Sequence, residues 1–164
     1  MATVSLIPRS QISSDNEQVT CEIFIAASRE RIFEALTDPK QAVHWWGHKD
    51  RYLLSEFIMD VRVGGKWSTS GGSVKMGQFE VHGEFLEIDS PRRLKYTWIS
   101  RWMPKPTTVL WELEEKDNGT LVKIMHSGFA GDDGQAKAHS DGWNLVLSWL
   151  EGYLERGETV TTRK

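Results

Sequence analysis

The sequence predicts an α+β domain in which a curved antiparallel sheet wraps one long C-terminal helix. Three observations carry that expectation. Successive stretches from Val19 to Ser127 alternate apolar and polar residues with the period of half-buried strands. Glycine pairs and the turn Asp117-Asn118-Gly119 separate neighbouring stretches by hairpin lengths. The run from Gln135 to Arg156 instead carries a helical apolar stripe. A twisted antiparallel sheet has one face to bury, and only this helix is long enough to cover it.

The elements follow in order. Val19, Cys21, Ile23 and Ile25 alternate with Thr20 and Glu22 in a first strand. Ser28 offers an N-cap oxygen to a short helix, RERIFEALTD, whose buried stripe is Ile32, Phe33 and Leu36. Asp38 caps a second short helix with Pro39 at its first position, where the missing N–H is not needed; it ends near Trp45-Trp46-Gly47. Phe57, Met59, Val61 and Val63 read as a strand, Gly64-Gly65 as its hairpin turn, and Trp67 and Thr69 as the return strand ending in Gly71-Gly72. Phe79, Val81 and Phe85 share one parity while Leu86 and Ile88 share the other, so a bulge is expected near Gly83–Leu86. Beyond the Ser90-Pro91 turn come strands on Leu94, Tyr96 and Trp98, on Val109, Trp111 and Leu113, and on Thr120, Val122, Ile124 and His126. In the last helix Ala136, His139, Trp143, Val146, Leu147, Leu150 and Leu154 form the apolar stripe. Asn144, Ser148, Glu151 and Glu155 fall to the other side, and Gly157 is the stop signal. The organisation expected is an N-terminal extension over 1–17 (a surface segment, one short strand or an oligomer contact), a domain over 18–158 and a tail over 159–164. The domain holds about seven strands and two short helices after the first.

Composition narrows the function classes. Eight Trp, six Phe and three Tyr in 164 residues are too much aromatic surface for a disordered chain. A net charge of −3 lacks the basic excess of a nucleic-acid binder, so no nucleic-acid partner is expected. No apolar run reaches the ~18–20 residues of a membrane span. Cys21 alone permits neither an internal disulfide nor a cysteine-only metal cluster, and its place on an apolar strand face marks an inert core thiol. No secretory or lipidation signal is visible, and a reducing cytoplasm is the expected location.

Five blocks carry a family resemblance. They are IFIAASRERIFEALTDPKQAVHWWG, DVRVGGKW, GEFLEIDSPRRLKYTW, NGTLVKIMHSGF and DGWNLVLSWLEGYLERG, in order over roughly residues 19–157. Together they resemble the Activator of Hsp90 ATPase homologue 1-like group of the START / Bet v 1-like superfamily. The resemblance implies a helix-grip fold, with a seven-stranded antiparallel sheet around the C-terminal helix. That superfamily includes lipid and hormone carriers, aromatase/cyclases, stress proteins and co-chaperone domains. The eukaryotic co-chaperone that names the family is similar to this chain only in its C-terminal half, so an Hsp90-type chaperone is not the expected partner. His48 in HWWGH stands where many relatives have Pro.

The candidate ligand-binding residues are Trp46, Trp67, Phe79, Tyr96, Trp98, Trp111, Trp143 and Leu147, with His126 and His139 as polar candidates. The aromatic rings either fill the core or line a pocket for a small hydrophobic or aromatic molecule. Each histidine either bonds backbone or solvent, or faces the cavity as a hydrogen-bonding or acid–base group. Ser127, Tyr96 and Asp141 are candidate polar neighbours. His44 and His48 are four apart, but Gly47 interrupts them and no Glu follows His44, so no metal site is expected. Asn118-Gly119-Thr120 reads as a hairpin turn rather than a glycosylation site. GGKWS lacks the leading glycine of a phosphate loop, since position 60 is Asp. No cofactor is expected, catalytic residues are not assignable, and homodimerisation stays open. Three functions remain: a binding protein for a small hydrophobic ligand, a cyclase-, hydratase- or hydrolase-type enzyme using the same cavity, and a co-chaperone-like interaction module.

Overall fold

The computed structural model describes residues 8–164; the first seven residues of the N-terminal extension lie outside it. Nine strands and three helices follow in the order β1 (Arg9–Ile12), β2 (Gln18–Ile25), α1 (Arg29–Thr37), α2 (Pro39–Trp45), β3 (Gly47–His48), β4 (Tyr52–Met59), β5 (Lys66–Ser73), β6 (Gly77–Asp89), β7 (Arg93–Ser100), β8 (Met103–Lys116), β9 (Gly119–Ser127) and α3 (Asp133–Arg156). The fold is the expected α+β arrangement, an open antiparallel sheet curved against a long C-terminal helix. Strand order is β1-β2-β9-β8-β7-β6-β5-β4-β3. The expected count of about seven becomes nine through two edge strands. β1 is short and polar, and β3 is two residues long, so neither shows apolar alternation.

Local chemistry sets the helix ends. Ser28 Oγ accepts from the Arg31 amide at the start of α1, and Asp38 Oδ1 accepts from the Lys40 amide ahead of Pro39. Gly157 closes α3 in the left-handed conformation, φ 69°, as its position suggests. Strand β4 differs from expectation. It ends at Met59, and Val61 and Val63 are exposed in the turn before β5. A register shift between Leu54 and Glu56 places Tyr52 and Leu54 on the same face as Phe57 and Met59. The expected bulge in β6 falls between Phe85 and Glu87. Gly83 has no room for a side chain: a Cβ there would collide with the Thr97 carbonyl and crowd Trp67 Nε1. The Trp67 indole uses that space to donate to Thr97 O at 3.1 Å.

Helix α3 packs chiefly over β2 and β1. Ser140 and Asn144 donate to Ser10 Oγ, and Cys21 Sγ lies 3.4 Å from Asn144 Oδ1. Burial pushes the Cys21 thiol up to about 12, which keeps it protonated and unreactive. Glu151 departs from the expected solvent face of α3: it is buried, as is Trp149, where residues 158–164 fold back against the helix. There Val160 is buried, Glu151 pairs with Arg156, and Arg163 donates to the carbonyls of Trp45 (2.7 Å), Gly47 (2.6 Å) and Trp149 (3.3 Å). Among the described residues no helix is long and apolar enough to cross a membrane.

Candidate ligand cavity

α3 lies closest to β1 and β2, and toward β4 and β7 it extends large rings, Trp149 against Tyr52 and Trp143 against Trp98. Aromatic side chains converge on the inner faces of β4 to β7 and leave a hollow. A first cavity of about 160 Å³ is bounded by these strands, by Trp111 of β8, by Leu36 of α1 and by Trp46 just beyond α2. It compares with the ~150 Å³ of an apolar cavity able to hold benzene. A second cavity of about 290 Å³ lies against α3, where His139, Gly142, Trp143 and Val146 face it. Trp46, Tyr52, Met76, Trp98 and Trp102 border both. The expected space between sheet and C-terminal helix is therefore divided, and no residue of α3 lines its deeper part.

The candidate residues distribute as follows. Trp67, Phe79, Tyr96 and Trp111 line the first cavity, His139 and Trp143 the second, and Trp46 and Trp98 both. Trp46 and Trp98 stack with centroids 6.4 Å apart, and Trp143 meets Trp46 edge-on at 5.9 Å. His126 and Leu147 border neither cavity; both are fully buried behind this aromatic layer. Sequence reading missed Tyr52, Leu54, Met76 and Trp102. For Tyr52 and Leu54 the signal was present, as an alternation whose phase breaks before Phe57.

The polar atoms of the site are mostly committed. Trp143 Nε1 can only donate, so His126 Nδ1 accepts at 3.1 Å, and the neutral ring carries its proton on Nε2. That nitrogen donates to Thr107 Oγ1 at 2.7 Å, and the Thr107 hydroxyl donates to the Trp98 carbonyl at 3.1 Å. Burial, and then the neighbouring His139, hold His126 well below the usual imidazole value. His139 Nδ1 donates to the Gln135 carbonyl at 2.9 Å, which leaves Nε2 as a lone pair on a cavity-lining ring. Burial lowers its pKa as well. Among the other candidates, Trp46 Nε1 donates to Tyr52 Oη at 3.0 Å and Trp111 Nε1 to Tyr96 Oη at 2.9 Å. The lining of the first cavity contains no ionisable carboxylate, amine, guanidinium or imidazole. Among the described residues no three histidine, cysteine or carboxylate side chains gather as a metal-binding group.

The profile of the Activator of Hsp90 ATPase homolog 1-like protein family matches residues 26–155. The chain belongs to that family. No curated protein matches the sequence. Among solved structures, the protein Ms6760 from Mycobacterium smegmatis is similar with a TM-score of 0.78 at 16% identity, over 90% of this chain and 96% of that one. The protein NE0264 from Nitrosomonas europaea has a TM-score of 0.73 at 23% identity, over 89% and 98% of the two chains. An AHSA1-like protein from Aeromonas hydrophila has a TM-score of 0.69 at 16% identity, over 85% and 94%. At such identities the likeness extends to the fold alone. Family members therefore share the scaffold, while the lining described above belongs to this sequence.

Proposed function

We propose that the protein binds a small, uncharged hydrophobic or aromatic molecule in the paired cavities. The observation that carries this reading is the first cavity itself: a hollow walled chiefly by aromatic and aliphatic side chains, with Thr69 beside them and no charged group at its surface among the described residues. Burying ~300 Å² of apolar ligand surface is worth about 7 kcal/mol at ~25 cal/mol per Å². Lost translational and rotational freedom takes back part of that, so burial alone supports affinities no tighter than about micromolar. We further propose a cytoplasmic location, which suits a chain whose one thiol, Cys21, is buried and unpaired by any disulfide. The ligand-binding reading is tested by native mass spectrometry and thermal melting with aromatic, lipid-like and polyketide-like compounds. Retention of at least one apolar compound with a raised melting point supports it. Failure of every class to bind or to raise the melting point contradicts it.

A second reading rests on His139. Its unpartnered Nε2 beside the second cavity suits a proton acceptor in a cyclase-, hydratase- or hydrolase-type reaction. His126 does not share that role, since both its nitrogens are engaged. Incubation with 4-nitrophenyl butyrate tests the hydrolase form. Release of nitrophenolate that His139→Ala abolishes supports this second reading, and no release above the buffer rate counts against it.

A further inference from the structure

Tyr52 and Tyr96 line the same cavity, from β4 and from β7. Each phenol oxygen already accepts a hydrogen bond from an indole, Trp46 for Tyr52 and Trp111 for Tyr96. Neither hydroxyl hydrogen has an acceptor among the described residues, so both remain to be donated. Of the three other indoles in the cavity wall, Trp67 is spent on Thr97 O, whereas Nε1 of Trp98 and of Trp102 has no partner among the described residues. A hydroxyl whose oxygen accepts an N–H bond is polarised and becomes a stronger donor. Burial pushes Tyr52 up to about 12 and Tyr96 upward as well, so both stay protonated at any physiological pH.

From this arrangement, and resting on the ligand-binding reading above, we infer that the cavity selects uncharged ring compounds bearing a carbonyl-type hydrogen-bond acceptor, read by the hydroxyls of Tyr52 and Tyr96. A plain hydrocarbon entering the cavity displaces whatever solvent those hydroxyls hold and leaves both donors unpaired. A ketone, quinone or ester of the same shape satisfies at least one. Sites built around hydrogen-bond donors discriminate strongly against analogues that lack the acceptor. Charged ligands are disfavoured for a different reason, because no countercharge lines the first cavity.

The test uses the intact protein with 1-tetralone and tetralin, which differ by one carbonyl on the same fused rings. An apolar pocket without donors ranks tetralin ahead, because the carbonyl must shed its water to enter. The expected result here is the reverse order, with 1-tetralone bound about threefold tighter or more by tryptophan fluorescence titration. The carbonyl stretch of bound 1-tetralone is expected at lower wavenumber than in hexane. Tyr52→Phe and Tyr96→Phe should each shrink the ketone preference, and the double variant should shrink it further and move the stretch toward the hexane position; a preference and stretch unchanged in the double variant would assign the acceptor to the free indole of Trp98 and overturn the role of the tyrosines. If tetralin binds as tightly as 1-tetralone, or if the carbonyl stretch is unshifted, the inference fails and the ligand-binding reading stands. If neither compound binds, the inference fails, while the ligand-binding reading is decided by the wider panel of aromatic, lipid-like and polyketide-like compounds. The wild-type ranking and the infrared shift need no variant, so a Tyr→Phe protein that folds poorly does not spoil the test.

Discussion

Each ring nitrogen of His126 has one partner, Trp143 Nε1 on one side and Thr107 Oγ1 on the other, and the ring is fully buried. A proton can be added only by breaking the Trp143 bond. The group's pKa accordingly lies well below 6.5 in the folded chain, through burial first and His139 second. That of His139 is also lowered by burial, against the opposing pull of the Gln135 carbonyl and Asp132. The unfolded chain takes up protons near pH 6.5 that the folded chain refuses, so stability rises with pH across that window. It is complete above about pH 6.5 and falls as the pH drops from there toward the lower folded-state values. Urea midpoints measured from about pH 7.5 to 5.5 should decline, and His139→Gln should flatten part of the decline. A midpoint independent of pH over that range contradicts the assignment. The sequence marked His126 as lying on an apolar stripe, but not which side of the aromatic layer it would occupy. That depends on where α3 rests on the sheet, which no local pattern encodes.

At the scale of elements, two hairpin tips frame the entrance. Met76 lies in the turn between β5 and β6 and Trp102 in the turn between β7 and β8, and both border the two cavities. Arg101 ties them: its Nη2 donates to the Met76 carbonyl at 2.8 Å while its guanidinium sits 4.7 Å over the Trp102 ring. This exposed bond adds little to global stability but restrains relative movement of the tips. Arg101→Ala should therefore leave unfolding free energy within about 0.5 kcal/mol and raise the association and dissociation rates of a bound aromatic together. Stopped-flow tryptophan quenching measures both rates; unchanged rates contradict a restraining role. Strands with clean alternation, such as those on Tyr96 and Trp111, were legible in the sequence, as were the capped helices. The first half of β4 was not, because the shift at Leu54/Glu56 breaks its period and splits one inward face into two parities. The edge strands β1 and β3 were hidden for another reason: their burial comes from α3 and the chain terminus rather than from their own apolar content.

Over the whole molecule, the hollow follows from how one helix is shared among nine strands. α3 lies over β1 and β2, α2 packs on β4 near the far end while α1 meets β8, and bulky rings bridge the span between them. The C-terminal segment fastens this arrangement. Arg163 joins the end of α2, the start of β3 and α3 through carbonyls of Trp45, Gly47 and Trp149. Arg163→Ala leaves these carbonyls without their donor, and a loss of about 2–4 kcal/mol in urea unfolding is expected. A change below about 0.5 kcal/mol would show that the segment is not fastened. That contribution was illegible in TTRK as a sequence, since nothing local tells a docked arginine from a solvated one. Ligand binding requires that the space under β4 to β7 be apolar, empty of side chains and open to guests. Crystals pressurised with xenon probe that space. A xenon atom is expected between Trp67, Phe79 and Tyr96, whereas side chains closed over that position, or ordered water that xenon does not displace, would overturn the ligand-binding reading.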